Sequence, residues 1–179
     1  MPLTVSRKVL LDDGTDQRFR QLVYDLLTLS VRMNAVREHL ARRMGLSGPQ
    51  YSLLIAVGQL QGRLGVSVTA LAKMLHVSNA FVATETGKLT LSGLLKKQAN
   101  PKDRRGVLIN LSRAGRVLIE RNRVEICAVN DLFFGSLDSL AFEAMSQAGA
   151  TLVHSSGKVM NRLKLMEQDK SVVLREAAE

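Results

Sequence analysis

The side chains best placed to do chemistry in this sequence are cationic or hydrogen-bonding, and the chemistry they suit is recognition of a polyanion. The hexapeptide PKDRRG sets Lys102, Arg104 and Arg105 around a turn punctuated by Pro101 and Gly106. Apolar, β-branched residues on either side, at 94–100 and 107–112, favour two extended strands. A charged hairpin tip of this kind suits phosphates or a narrow minor groove, where Arg is drawn by the enhanced negative potential. Asp103 is an acid suited to brace Arg105 within the hairpin. Upstream, Val82, Thr86 and Leu89 recur at helical spacing and mark an inward face. The opposite face carries Asn79, Ala83, Thr84 and Lys88, the small or hydrogen-bonding side chains a helix needs against base edges in a major groove about 12 Å wide.

The charge distribution points the same way. The chain has 179 residues and a net charge of +9. From Lys96 to Arg123 nine Lys or Arg stand against Asp103 and Glu120, so +7 is concentrated in or just after the hairpin. Such clustering is the footprint of a polyanionic partner, for which double-stranded DNA is the expectation; a basic membrane-surface patch is the competitor, but it would want a neighbouring apolar insertion face.

Other chemistries find little support. The sequence has no Gly-rich phosphate loop, no Ser/His/Asp pattern and no paired carboxylates at useful spacing, so no catalytic residues and no cofactor are expected. His39, His76 and His154 lack partners at metal-ligand spacing, and no metal site is expected. His76, beside the turn between two short helices, is expected to make a structural hydrogen bond. The single cysteine, Cys127, lies in an apolar helical stretch and reads as a small buried hydrophobe. No stretch reads as a signal peptide or membrane span, and the single Cys fits a reducing compartment, so a cytoplasmic protein is expected.

Residues 69–112 supply the elements that must hold these side chains. Thr69 is a candidate N-cap for a short helix with Leu71, Met74 and Leu75 at helical spacing, and Ser78 suits the N-cap of the next. Two helices joined this way make a helix-turn-helix, and the hairpin adds a wing.

The order of helices followed by DRRGVLINLSRAG resembles the winged helix-turn-helix of the multiple-antibiotic-resistance regulator (MarR) family. That wing pattern is Asp-x-Arg, an apolar strand, Leu-Thr/Ser and a Gly, met here by Asp103, Arg105, Leu111, Ser112 and Gly115. Helix order and spacing extend the resemblance over about residues 16–166. Glu85 departs from it, standing where an apolar residue is common, and so does Gly87, where a polar one is.

The remaining chain has the scale of a dimerisation region. Residues 1–15 read as a flexible arm. An apolar stripe from Phe19 to Leu40 keeps helical period over residues 16–44; Ser47, Gly48 and Pro49 open a second helix, and 66–68 suits a short strand. Ser112 can cap a helix running to Phe134, a further helix is expected over 139–166, and 167–179 reads as a frayed tail. The fold class expected is therefore mainly α with a small β wing: a winged helix-turn-helix domain at 47–112, with dimerisation helices at 16–46 and 113–166.

The resemblance implies a homodimer that places two recognition helices on a pseudopalindromic site, and a repressor released by a small molecule such as an aromatic acid or its acyl thioester. For such an effector the first two helices offer Phe19, Tyr24, Met33 and Tyr51 as walls, with Arg20, Arg32 and His39 as polar anchors. The rival expectation is an architectural or protein-interaction winged-helix module without strong base readout.

Overall fold

A computed structural model describes residues 1–101 and 103–176, with side chains at 1–101 and 106–168. It falls into two units, Met1–Val129 and Asn130–Glu179. In the first, helix α1 (Gln17–Arg43) leads to α2 (Gly48–Leu60), strand β1 (Val66–Ser67), α3 (Val68–Leu75), α4 (Asn79–Leu91), β2 (Leu95–Asn100) and β3 (Asp103–Leu111). Helix α5 (Arg113–Phe134) crosses the boundary between the units, and α6 (Ser139–Glu176) belongs to the second.

The three strands form one antiparallel sheet in the order β1-β3-β2. Val66 pairs with Ile109, and Leu95 with Leu111, which turns Val66, Leu95, Ile109 and Leu111 onto the core. The core centres on α2, whose Leu53, Leu54 and Val57 are fully buried together with Leu71 of α3, Val82, Thr86 and Leu89 of α4, and Ile109. Burying this continuous apolar set is what holds the small helices against a three-stranded sheet. Ser47 begins α2 with a complete capping box: its hydroxyl accepts from the Gln50 N–H, and the Gln50 side chain accepts from the Ser47 N–H.

Several local expectations are corrected. The cap of α3 is Ser67, whose hydroxyl accepts from Ala70 N at 3.2 Å, so the helix starts at Val68, one residue before Thr69. The residue that leaves the strand is thus itself the cap. The hairpin turn is tighter than PKDRRG suggests, because pairing continues through a register irregularity at Ala99/Asn100 to Asn100 opposite Asp103. Residues 1–15 are anchored: Thr4 donates to Asp16 Oδ2 from its N–H at 2.7 Å and its hydroxyl at 2.6 Å. Asp12 and Thr15 close a bridge around the positive-φ residues Asp13 and Gly14. The Thr4 hydroxyl, its N–H and the Arg20 guanidinium hold the Asp16 carboxyl below the usual range. The last helix runs past 166 to Glu176, so residues 167–176 of the expected frayed tail are helical, and 177–179 lie outside the described residues. Cys127 is exposed, not buried, because among the described residues no element of its own unit covers that side of α5.

Both units leave large apolar side chains uncovered. On α1 these include Leu22, Leu26, Leu27 and Val31; on α6, Phe142, Met145, Leu152, Val159, Leu163 and Met166. No described residue of α6 is buried.

Candidate nucleic-acid interface

Helix α4 is set by its cap and by the turn before it. His76 ends α3 in the left-handed region, at φ 54° and ψ 42°, with its N–H donated to Ala72 O. A non-glycine residue there is uncommon. Val77 N also bonds Ala72 O, at 3.1 Å, closing the end of α3. Ser78 then caps α4 by accepting from Phe81 N at 3.1 Å. His76 therefore contributes backbone geometry, while its ring is exposed and makes none of the expected structural hydrogen bonding among the described residues.

Val82, Thr86 and Leu89 anchor the inner face of α4, and the buried Thr86 hydroxyl is satisfied by Val82 O at 2.7 Å. The outer face presents Asn79, Ala83, Thr84 and Lys88, all exposed. Those four side chains thus share one continuous solvent-facing surface, the arrangement a reading helix requires.

The two departures have physical explanations. Glu85 is turned inward, only 9% exposed, and bound on both oxygens: by Gln50 Nε2 at 3.3 Å and Lys88 Nζ at 2.6 Å. Gly87 faces open space, where an added Cβ would meet nothing within 4 Å. Neither residue blocks the outer face.

In the sheet, the exposed Lys96 and Lys97 of β2 extend the basic surface toward the wing, and Arg113 and Arg116 are exposed in the first turn of α5. Asp103, Arg104 and Arg105 lie in β3, but their side chains, like Lys102 altogether, fall outside the described residues. The N-terminus of α5 is capped by the Ser112 hydroxyl, which accepts from Gly115 N at 3.0 Å and donates to Gly93 O at 2.6 Å.

The seven candidate effector residues are not gathered into one site. Phe19 lines an open hollow of about 440 Å³ with Val9, Leu10, Arg18 and Leu22. Arg20 is held by Asp16 at 3.0 Å, and His39 Nε2 lies 3.3 Å from Glu125 Oε1. Tyr51 packs against the core, where burial pushes its phenol pKa up. Tyr24, Arg32 and Met33 are exposed. At 1.5 Å of rise per residue, Phe19 and His39 stand about 30 Å apart along α1, so one protomer cannot offer all seven to a single small molecule.

Gln50 and Glu85 are the contacts the sequence left unseen. The Ser-x-x-Gln cap and the Glu85/Lys88 spacing were both visible locally, but their joining is a long-range packing event. Among the described residues no group of three or more His, Cys, Asp or Glu side chains could hold a metal ion, and no helix is long and apolar enough to cross a membrane.

Comparison with known proteins agrees with this geometry. A sequence model of the MarR family matches residues 44–106, from the end of α1 into β3. No curated protein matches the sequence. The fold is shared with CouR from Rhodococcus jostii RHA1 bound to p-coumaroyl-CoA, at TM-score 0.64 and 20% identity over 73% of this chain and 90% of that one. It is also shared with the S. aureus MepR–DNA complex, at TM-score 0.63 and 17% identity over 74% and 96%. A third likeness is to PcaV from Streptomyces coelicolor in complex with its natural ligand, at TM-score 0.57 and 21% identity over 72% and 91%. The family match falls on the helix-turn-helix and most of the wing, and the fold agrees beyond it: residues 44–106 match the MarR family, and the chain has the winged helix-turn-helix fold of these solved proteins.

Proposed function

We propose that the chain is a sequence-specific transcription regulator that binds a pseudopalindromic operator as a homodimer, reads bases with α4, and is released by a small molecule. The observation that carries this reading is the outer face of α4. Asn79, Ala83, Thr84 and Lys88 are exposed together there while Val82, Thr86 and Leu89 anchor the helix in the core. A basic wing and a basic β2 flank that face with charge suited to phosphates. Two-fold pairing through the uncovered apolar residues of α1 and α6 would place two such helices about one turn of DNA apart, roughly 34–36 Å.

The effector class is proposed from chemistry and likeness together. CouR is described bound to p-coumaroyl-CoA and PcaV to its natural ligand, and an aromatic acid or acyl thioester is the analogous proposal for this chain. Of the seven candidate residues, Tyr24, Arg32 and Met33 form the set best suited to a pocket completed by a second copy, since they remain exposed in one protomer. Release by such a ligand favours repression. The protein is proposed to be cytoplasmic, as DNA binding requires.

Selection of bound DNA from a random pool, repeated with a panel of aromatic carboxylates and acyl thioesters, tests this reading. A regulator enriches a short inverted repeat, discriminates by about 10³ or more over random DNA, and loses it in the presence of an effector. A pool with no enriched sequence would identify an architectural or protein-interaction module instead.

A further inference from the structure

Glu85 is an acid on a helix that otherwise suits a polyanion, and its position gives it a use. We propose that Glu85 is a positioning residue that makes Lys88 a base-reading lysine, directed at the O6 and N7 acceptors of guanine in the major groove. This rests on α4 being the reading helix, as proposed above.

The argument begins at Gln50. Its Oε1 accepts from the Ser47 N–H at 3.2 Å, and its Nε2 donates to Glu85 Oε2 at 3.3 Å. The amide is therefore oriented from both ends, by a donor on one side and a carboxylate on the other. The capping box of α2 thus fixes one oxygen of a carboxylate on α4. The second oxygen takes Lys88 Nζ at 2.6 Å, a short charge-assisted contact between positions i and i+3 of the same helix.

The consequence lies in what Lys88 has left to offer. Its side chain is 57% exposed while that of Glu85 is 11% exposed, so the ammonium stands where the core meets the outer face. It follows Thr84 by one turn on that face. One of its three N–H bonds is spent on Glu85 and two remain for a ligand. An unpaired lysine is a mobile point charge suited to phosphate. The Glu85/Lys88 pair carries no net charge, so it contributes little to counterion release. It keeps a pre-oriented pair of donors, and acceptors in fixed positions are what such donors discriminate.

The test measures binding of the full-length protein to its selected operator and to random DNA across a salt series. The double variant Glu85→Gln with Lys88→Ala, which replaces a neutral pair by two neutral side chains, is expected to lower operator affinity at least tenfold, to relax base preference at one position in each half-site, and to leave the slope of log affinity against log salt nearly unchanged. Glu85→Gln keeps a partner for Gln50 but frees the lysine charge. It is expected to raise affinity for random DNA, steepen the salt slope by about one per protomer, and reduce the operator-to-random ratio about tenfold. A double variant that loses affinity equally on both DNAs, with a salt slope shallower by about one per protomer, would show a phosphate contact and overturn the proposal. So would unchanged operator binding. If the unmodified protein shows no preference for any sequence, the reading of the chain as a specific regulator fails as well; if it discriminates and only the variants disagree, this assignment alone fails.

Discussion

Arg43 Nε donates to both oxygens of Glu125, at 3.1 Å each, and so pins the last turn of α1 to the middle of α5. His39, one helical turn earlier, reaches the same carboxylate at 3.3 Å. The Arg43 hydrogen bond is the largest influence on Glu125 and, with smaller help from His39, holds its pKa below the usual range against a partial desolvation that raises it.

A carboxylate whose folded pKa is depressed stabilises the fold above its unfolded value, about 4.3, and that contribution is lost as pH falls through the folded value. Glu125→Gln is therefore expected to melt at a lower temperature than the unmodified protein at pH 7 and to converge with it as the solution is acidified below about pH 4. Melting curves at several pH values check this. A gap between the two proteins that is independent of pH would assign the loss to packing.

Gly115 explains one position of the wing pattern. An added Cβ there would overlap the Leu94 carbonyl oxygen, which itself accepts the Ser112 N–H at 3.0 Å. Backbone cannot step aside as a flexible side chain can, so Gly115→Ala is expected to cost about 1–3 kcal/mol by overpacking. Denaturant unfolding measures it, and a variant as stable as the parent would show that α5 can shift on the sheet.

The fold was legible where local chemistry and long-range packing agree. Ser47, Ser78 and Ser112 cap the helices their positions suggested, and Val82, Thr86 and Leu89 are buried as their spacing implied. Thr69 was misread because Ser67, two residues earlier, is an equally good cap, and only the pairing of Val66 and Ser67 with β3 decides between them. Cys127 was misread because an apolar stretch tells that a face is available for burial, not that this chain covers it. The role of Glu85 was hidden because its partner Gln50 is remote in sequence and brought near only by packing of α2 on α4. The effector candidates were grouped by residue type, which carries no information about distance along a long helix.

Helix α6 gives the dimer proposal a specific register. Phe142, Met145, Gly149, Leu152, Ser156, Val159, Leu163 and Met166 follow alternating steps of three and four, the seam of a coiled coil, with small residues at two of the eight positions. The large ones among them are exposed, at 40% for Met145 and 59% for Phe142. A stripe of this length left in water is an association surface. Light scattering at micromolar concentration is expected to give the mass of a dimer, and the double variant Leu152→Glu with Leu163→Glu to give monomer or aggregate. A folded, monodisperse monomer from the unmodified chain would remove the two-fold arrangement from the proposed function.

The wing and the reading helix should fail in different ways when altered. Arg105 stands in β3 next to a turn rich in positive charge, and the resemblance to the family's wing pattern rests in part on it. A groove-inserted or phosphate-bound Arg contributes through charge, so Arg105→Ala is expected to weaken operator binding by about 1–3 kcal/mol per protomer and to make the salt slope shallower. Thr84 is neutral, exposed and on the outer face of α4, so Thr84→Ala is expected to alter the preferred base at one position while leaving the salt slope alone. The two are compared by titrating each variant, with its fold verified by circular dichroism, against the operator and single-base variants at three salt concentrations. Unchanged affinity in Arg105→Ala would remove the wing from the interface. A Thr84→Ala protein that changes only in salt dependence would mean that α4 lies along the phosphates, and base readout would then have to be sought in another element.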